Sequence, residues 1–338
     1  MTQTKQHEQD VDVWVGKRFP LTIRRLGVNG HGIGYYKHKV CFVPGALPNE
    51  VVVAEGTRVL PRYLEAKIHR IRKKSRDRVT PRDEYADIAG GFELENLAYQ
   101  QQLKFKRQVI IDSLEKFQPY GYRNYDVRPT IAAPEEYGYR NKAQFQIRMV
   151  NGKVAAGLYQ PNSHTLVDME TCAVQMPRTM ETVRAVTKMI EDLQIPVYDE
   201  KHNSGIIKTL AVRESWSTGE VQLTFITNSA KLPHKRELLE RIEKELPAVV
   251  SVMQNVNPGD TPLVWGKKMI HLAGKDSILE SLMGLDFKLS ARSFLQLNPE
   301  QTEVLYEEAS KALELDKDDT LIDAYAGIGT IGLSLASR

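Results

Sequence analysis

The chain has 338 residues, 41% of them hydrophobic, a formal net charge of +3 and two cysteines. That length predicts two or three domains, and two thiols exclude both a disulfide scaffold and a four-thiolate metal site. No run of apolar residues is long enough to span a membrane, and the polar start MTQTKQHEQDVDV lacks a signal-peptide core, so the cytoplasm is the expected location.

Residues 12–72 read as short strands broken by glycine. Val40, Phe42 and Val43, then Val51 to Val53, have strand character, while Gly30, Gly32 and Gly34 supply turns or a bulge. The pattern predicts a small closed barrel of the oligonucleotide-binding type; a barrel with no ligand fits it equally. In KIHRIRKKSRDR, seven basic residues (Lys67, Arg70, Arg72, Lys73, Lys74, Arg76 and Arg78) accompany one acid, Asp77. Two readings stay open for that run, a solvated strand end and a set of phosphate contacts.

The next segment, ELENLAYQQQLKFKRQVIIDSLEKF, predicts a helix over 93–116 with Leu94, Leu97, Leu103, Val109, Ile110 and Leu114 on one stripe. Hairpins are predicted at Asn151-Gly152 and at Thr218-Gly219. Helices are predicted in MPRTMETVRAVTKMIEDL, which opens with a proline, and in LPHKRELLERIEKEL. Strand pair, helix, strand pair, helix makes an α+β domain.

Asn298-Pro299 then caps a further helix. LIDAYAGIGTIGLSLASR runs from a strand over 321–326, through a turn at Gly327, Gly329 and Gly332, into a helix, as at the opening of a doubly wound α/β domain. Its spacing fits G-x-G-x-x-G, yet Asp323 and Tyr325 sit at the strand end. An acid there suits the ammonium of S-adenosylmethionine better than a pyrophosphate. A dinucleotide site and a structural turn without ligand remain the rival readings.

With SFLQLNPEQTEVLYE ahead of it, DAYAGIGTIGLSLA closely resembles the motifs of the RNA (uracil-C5)-methyltransferases that modify 23S ribosomal RNA or the T-loop of transfer RNA. The likeness covers almost the whole chain. GVNGHGIGYY and CFVPGALPNE resemble the TRAM domain of that family, its small RNA-binding barrel, and YRNKAQFQI, GLYQPNSHTLVDMETCAVQ and QNVNP resemble its central part. The resemblance implies a multidomain fold: a TRAM/OB-like β-barrel over 12–78 and a central α+β domain over 79–92 and 121–285. It adds a helix over 93–120 that packs with the methyltransferase part, and the start of a doubly wound, Rossmann-like methyltransferase domain over 286–338.

The same resemblance implies S-adenosylmethionine as cofactor, contacted by Gln296, Asp323, Tyr325 and the backbone at Gly327 and Gly329. From the residues alone, Gln296 is an exposed helix-flanking residue and Tyr325 a core aromatic. RNA is the implied partner, ribosomal in preference to transfer, with 5-methyluridine as product. The seven basic residues are candidate phosphate contacts, and Tyr35, Tyr36 and Phe42 candidate stacking rings.

Two departures from the family pattern shape the expectations. Many members hold an iron–sulfur cluster on four cysteines after the barrel. Here those positions fall at Arg82 or Asp83, Ala89 and Phe92, which cannot ligate iron as thiolates do. No cluster is expected, and apolar packing around Ala89 and Phe92 is expected in its place. The second departure concerns the reaction. A thiolate must add at C6 of an unstacked uracil to make C5 nucleophilic, and a base must then remove the C5 proton. The family's nucleophilic cysteine and general base belong to motifs beyond residue 338. No catalytic residue is therefore assigned, and the chain by itself is expected to be inactive, with a non-catalytic RNA-binding module as the alternative reading. Cys41 and Cys172 read as structural thiols, and His164 as an RNA-orienting or a structural histidine. An unpaired parallel strand is unstable at an edge, so 12–285 is expected to fold and 318–338 to fray or to pair with another copy.

Overall fold

The structure, a computed structural model, describes residues 13–316 and 318–336. Most of the polar N-terminal stretch, Asp12 at the expected barrel boundary, Lys317 and the last two residues of the 318–338 segment lie outside the described residues. The chain divides into two compact units, Met1–Ala132 and Ala133–Arg338.

In the first unit β1 (Arg18–Leu26), β2 (Gly32–Tyr36), β3 (Lys39–Val43), β4 (Val51–Val59) and β5 (Tyr63–Lys73) close into a barrel in the order β1-β2-β3-β5-β4. Period-two alternation sends Phe19, Leu21 and Ile23 inward, against Cys41, Val43, Val52, Ala54, Leu64 and Ala66. Gly32 and Gly34 are required where strands approach closely. A Cβ on either would lie 2.5 Å from the Ala46 carbonyl oxygen or 2.6 Å from that of Thr22.

One buried ion pair ties the end of the barrel to the segment after β5. Glu50 is fully buried. Its carboxylate accepts from the Leu47 N–H (2.9 Å), the Ser75 N–H (3.3 Å), and Nε (2.7 Å) and Nη2 (2.9 Å) of Arg78. Arg78 Nη2 and Asn96 Nδ2 both donate to the Gly45 carbonyl, at 2.6 and 2.8 Å, and Leu97 packs with Leu26 and Leu47. These contacts hold residues 79–98 to the barrel, and so 79–92 falls in the first unit and not with the central domain as expected. Ala89 and Phe92 are both buried. Helix α1 (Tyr99–Phe117) starts six residues later than predicted, because 93–98 fold into turns, and none of its residues is buried. The predicted stripe thus lies partly in a turn, which buries Leu97, and partly on a helix face left half-exposed.

The second unit contains β6 (Lys142–Val150), β7 (Lys153–Tyr159), β8 (Leu166–Asp168), α2 (Pro177–Asp192), β9 (Ile207–Glu214), β10 (Val221–Thr227), α3 (Lys235–Glu245), β11 (Val249–Val256) and β12 (Lys268–Gly274). These strands form a seven-stranded sheet in the order β12-β11-β10-β9-β6-β7-β8. Only β10 and β11 pair in parallel, and α3 makes the crossover that this requires. Asn151 and Gly152 turn the β6–β7 hairpin with φ of 51° and 82°, as a type I′ turn demands. A cross-strand ladder of Phe145, Leu210 and Phe225 occupies one face, each side chain contributing about 2–3 kcal/mol by burial. The opposite face carries Gln144, Gln146, Thr209, Gln222 and Thr224. Segment 257–267 covers part of it, with Trp265 Nε1 donating to Gln144 Oε1 at 2.9 Å.

After the hairpin of β13 (Ser277–Leu282) and β14 (Leu285–Ser290) come α4 (Pro299–Leu313) and the short α5 (Thr330–Leu335). Residues 321–326 form no strand, which corrects the reading from the sequence. A parallel strand takes its hydrogen bonds from neighbours, and none of the described residues pairs with that stretch. No helix among the described residues is long and apolar enough to cross a membrane.

Candidate cofactor turn and nucleic-acid surface

Between β14 and α4 the backbone of 293–297 is held from the sheet. The Asn141 N–H donates to the Leu297 carbonyl at 2.9 Å, its side-chain amide to the Gln296 carbonyl at 3.1 Å, and Arg213 Nη2 to the Ser293 carbonyl at 2.6 Å. Asn298 Oδ1 accepts from the Gln301 N–H at 3.1 Å and caps α4, with Pro299 in its first turn. Leu295 is buried in a cluster with Ile278, Leu282, Phe287, Leu289 and Tyr306, and Ile328 of the glycine turn packs against the same cluster. Tyr306 Oη lies 2.8 Å from Thr330 Oγ1. One apolar core therefore joins the neighbour of Gln296 to the residue between Gly327 and Gly329.

The turn itself is open. Gly327 and Gly329 have φ of 60° and 81°, and a Cβ on Gly327 would meet nothing within 4 Å. Gln296 is half-buried. A Cβ on Gly332 would lie 3.4 Å from Asp323 Oδ2, so the Asp323 carboxylate rests against α5. Tyr325 is 99% exposed and therefore not the core aromatic that the bare residue pattern allows. Phe294, also exposed, was not singled out from the sequence, where an apolar residue two places before Gln296 was its only signal.

Behind this segment stand three cations that sequence reading did not single out. Lys142 and Arg213 face each other across β6 and β9, and Arg140 leads into β6. Burial, then the charges of Arg213 and Arg140, pull the Lys142 amine down to about 8; it lies 5.1 Å from the centre of the Trp265 ring. Burial likewise lowers Arg213 to about 10, against the opposing charge of Glu280. Arg213 Nε and Nη1 and Asn141 Oδ1 are buried without a hydrogen-bond partner. The period-two register that pairs these positions was legible only once β6 was known to neighbour β9.

In the first unit Arg70, Arg72, Lys73, Lys74 and Arg76 are exposed. Lys67 is exposed too, with its amine 3.1 Å from Glu55. Arg78 is a correction: its guanidinium is committed to buried Glu50 and is not turned out toward a phosphate. Tyr35 is exposed, Tyr36 packs on Phe19 with ring centres 4.2 Å apart, and Phe42 meets Tyr63 edge-on at 5.6 Å. Cys41 and Cys172 are both buried and so lack the exposed setting of a nucleophile, and burial pushes the Cys41 thiol up to about 12. His164 lies at the surface, with Nδ1 3.2 Å from Glu200 Oε2.

A model of the TRAM domain matches residues 12–69. An RNA methyltransferase of Lactiplantibacillus plantarum, itself uncharacterised, is 61% identical over 334 residues, which are 99% of this chain and 69% of that one. Another from Enterococcus faecalis is 49% identical over 96% of this chain and 71% of its own length. Among solved structures, the Pyrococcus abyssi tRNA (uracil-54, C5)-methyltransferase in complex with S-adenosyl-L-homocysteine is similar with a TM-score of 0.72. That likeness covers 94% of this chain and 70% of that one at 24% identity, and shows the shared fold.

Proposed function

The chain belongs to the family of RNA methyltransferases that carry a TRAM domain, and we propose that it supplies the RNA-holding and cofactor-facing parts of an enzyme that methylates C5 of a uridine in structured RNA. The observation that carries this reading is the apolar core shared by Leu295 and Ile328, which sets the Gln296 segment beside the glycine turn. In this reading Gln296, Asp323, Tyr325 and the backbone of Gly327 and Gly329 would hold S-adenosylmethionine. The residues fit such a ligand: the turn has open space at Gly327, an exposed ring at Tyr325 and a carboxylate at Asp323. When bound, the cofactor supplies an electrophilic methyl group.

The chain's own part is to bind and orient. Arg70, Arg72, Lys73, Lys74 and Arg76 would take phosphates, with Lys67 at the edge of the patch, and Tyr35 would offer a stacking face. Lys142, Arg140 and Arg213 give the Gln296 segment a positive field that favours a polyanion. Neither buried Cys41 nor buried Cys172 is placed to supply the thiolate that uracil chemistry requires.

Ribosomal RNA is the preferred substrate in this reading because the TRAM barrel provides a separate grip on a large folded RNA; transfer RNA is the second reading. Mass spectrometry of both RNAs from a strain deleted for the gene tests the choice. Loss of a 5-methyluridine from 23S RNA supports it, loss from transfer RNA turns it to the second reading, and no loss from either removes the uracil-C5 assignment.

A further inference from the structure

A cavity of about 370 Å³ opens on the polar face of the seven-stranded sheet. Arg148 lines it, six residues along β6 from Lys142, which places it about 20 Å down the strand from the Gln296 segment. Planar groups make much of its wall. The Arg148 guanidinium lies 5.8 and 5.6 Å from the ring centres of Tyr159 and Tyr198, and Lys208 Nζ lies 4.5 Å from that of Tyr198. The Glu200 carboxylate accepts from Arg148, from the Tyr159 hydroxyl at 2.7 Å and pairs with His164 Nδ1 at 3.2 Å. Lys208 donates to the carbonyls of Asn257 (3.2 Å) and Gly259 (2.7 Å).

The charges inside balance: Arg148 and Lys208 against Glu200 and Asp260, all four lining the cavity. A phosphate gains little in such a neutral enclosure. A neutral planar heterocycle gains contact with the Tyr159 ring and the Arg148 guanidinium, Tyr198 itself being buried beneath Arg148 and Lys208. Such planes stack bases without regard to charge, and the polar rim adds hydrogen bonds. The exposed His164 ring, tilted 47° to that of Tyr159 with centres 5.6 Å apart, carries the planar lining out to the surface.

We propose that this cavity receives one unpaired base of the RNA substrate, as a recognition point separate from the target uridine. The proposal rests on the reading that the chain holds RNA. Its position at the far end of β6 means that an RNA held there and at the Gln296 segment is read at two places on one sheet face.

The test uses the full chain and the four free ribonucleosides, followed by amide chemical shifts. Shifts confined to residues around Tyr159, Glu200, Lys208 and Thr261, induced by at least one nucleoside, are expected. Thr261→Trp, at the partly open rim, should fill the cavity and abolish them, and His164→Ala should weaken single-stranded RNA binding about fivefold, the worth of one stacked base. No shifts up to the solubility of all four nucleosides, or shifts gathered elsewhere, would overturn the proposal. Salt-dependent RNA binding by Lys73 and Lys74, measured on the same sample, separates the two readings. If it persists while nucleosides leave the cavity untouched, only the base pocket is lost; if RNA does not bind at all, the functional reading falls first.

Discussion

Asn141 holds the Gln296 segment twice, through its side-chain amide to the Gln296 carbonyl at 3.1 Å and through its backbone N–H to the Leu297 carbonyl at 2.9 Å. Only the first bond depends on the side chain. Asn141→Ala should leave the Gln296 carbonyl unpaired in a half-buried place and cost about 1–2 kcal/mol in urea unfolding. Unchanged stability would mean that the backbone bond to Leu297, Arg213 and the Leu295 cluster suffice to hold the segment.

Arg78 and its exposed neighbours should separate cleanly. Arg78→Met strands the Glu50 carboxylate in the barrel and should destabilise the first unit by about 3–5 kcal/mol, with the salt dependence of RNA binding unchanged. Lys73→Gln should do the reverse, leaving the melting temperature alone and lowering the salt slope by about one. A salt slope that falls with Arg78→Met at unchanged stability would return Arg78 to the phosphate contacts.

Acid should act on the same pair. Burial alone would raise the Glu50 carboxyl, but the bonds from Arg78, Leu47 and Ser75 bring it below its ordinary value of 4.5. A lowered carboxylate stabilises above the unfolded value and loses that contribution as pH falls through the folded one. Unfolding of the barrel below about pH 4.5 should therefore be steeper in the native chain than in a Glu50→Gln variant, as circular dichroism across that range would read.

Lys142 should act in the opposite pH range. Its folded value, about 8, lies below the 10.5 of an unperturbed lysine. Between those values the unfolded chain holds more protons, so stability from this group rises with pH. Lys142→Met should raise the melting temperature at pH 7 and lose its advantage toward pH 10. A difference between the two proteins that stays constant across that range would show that Lys142 titrates normally.

The glycine turn should bind S-adenosylmethionine only weakly in this chain. Tyr325 stands free in solvent and 321–326 has no strand partner among the described residues, so ordering the turn opposes binding. Calorimetry is expected to give a Kd weaker than about 1 mM, and amides of 321–326 should exchange with deuterium far faster than those of β9 and β10. Low-micromolar binding would show a turn already ordered for its ligand.

The sequence by itself determined the local features. Glycine spacing and alternation in 18–73 specified the barrel, since a missing Cβ and a period of two act within a few residues. Asn298-Pro299, Asn151-Gly152 and the proline that opens MPRTMETVRAVTKMIEDL marked a cap, a turn and a helix for the same reason, while the burial of Ala89 and Phe92 was expected through the family resemblance. Tertiary structure decided what depends on partners distant in the chain. Lys142 meets Arg213 only because β6 lies beside β9. Arg78 turns from solvent to Glu50 because a buried carboxylate 28 residues earlier needs a cation. Leu321 to Ala326 reads as a strand in sequence and is none here, because strand propensity becomes a strand only where another backbone supplies its hydrogen bonds.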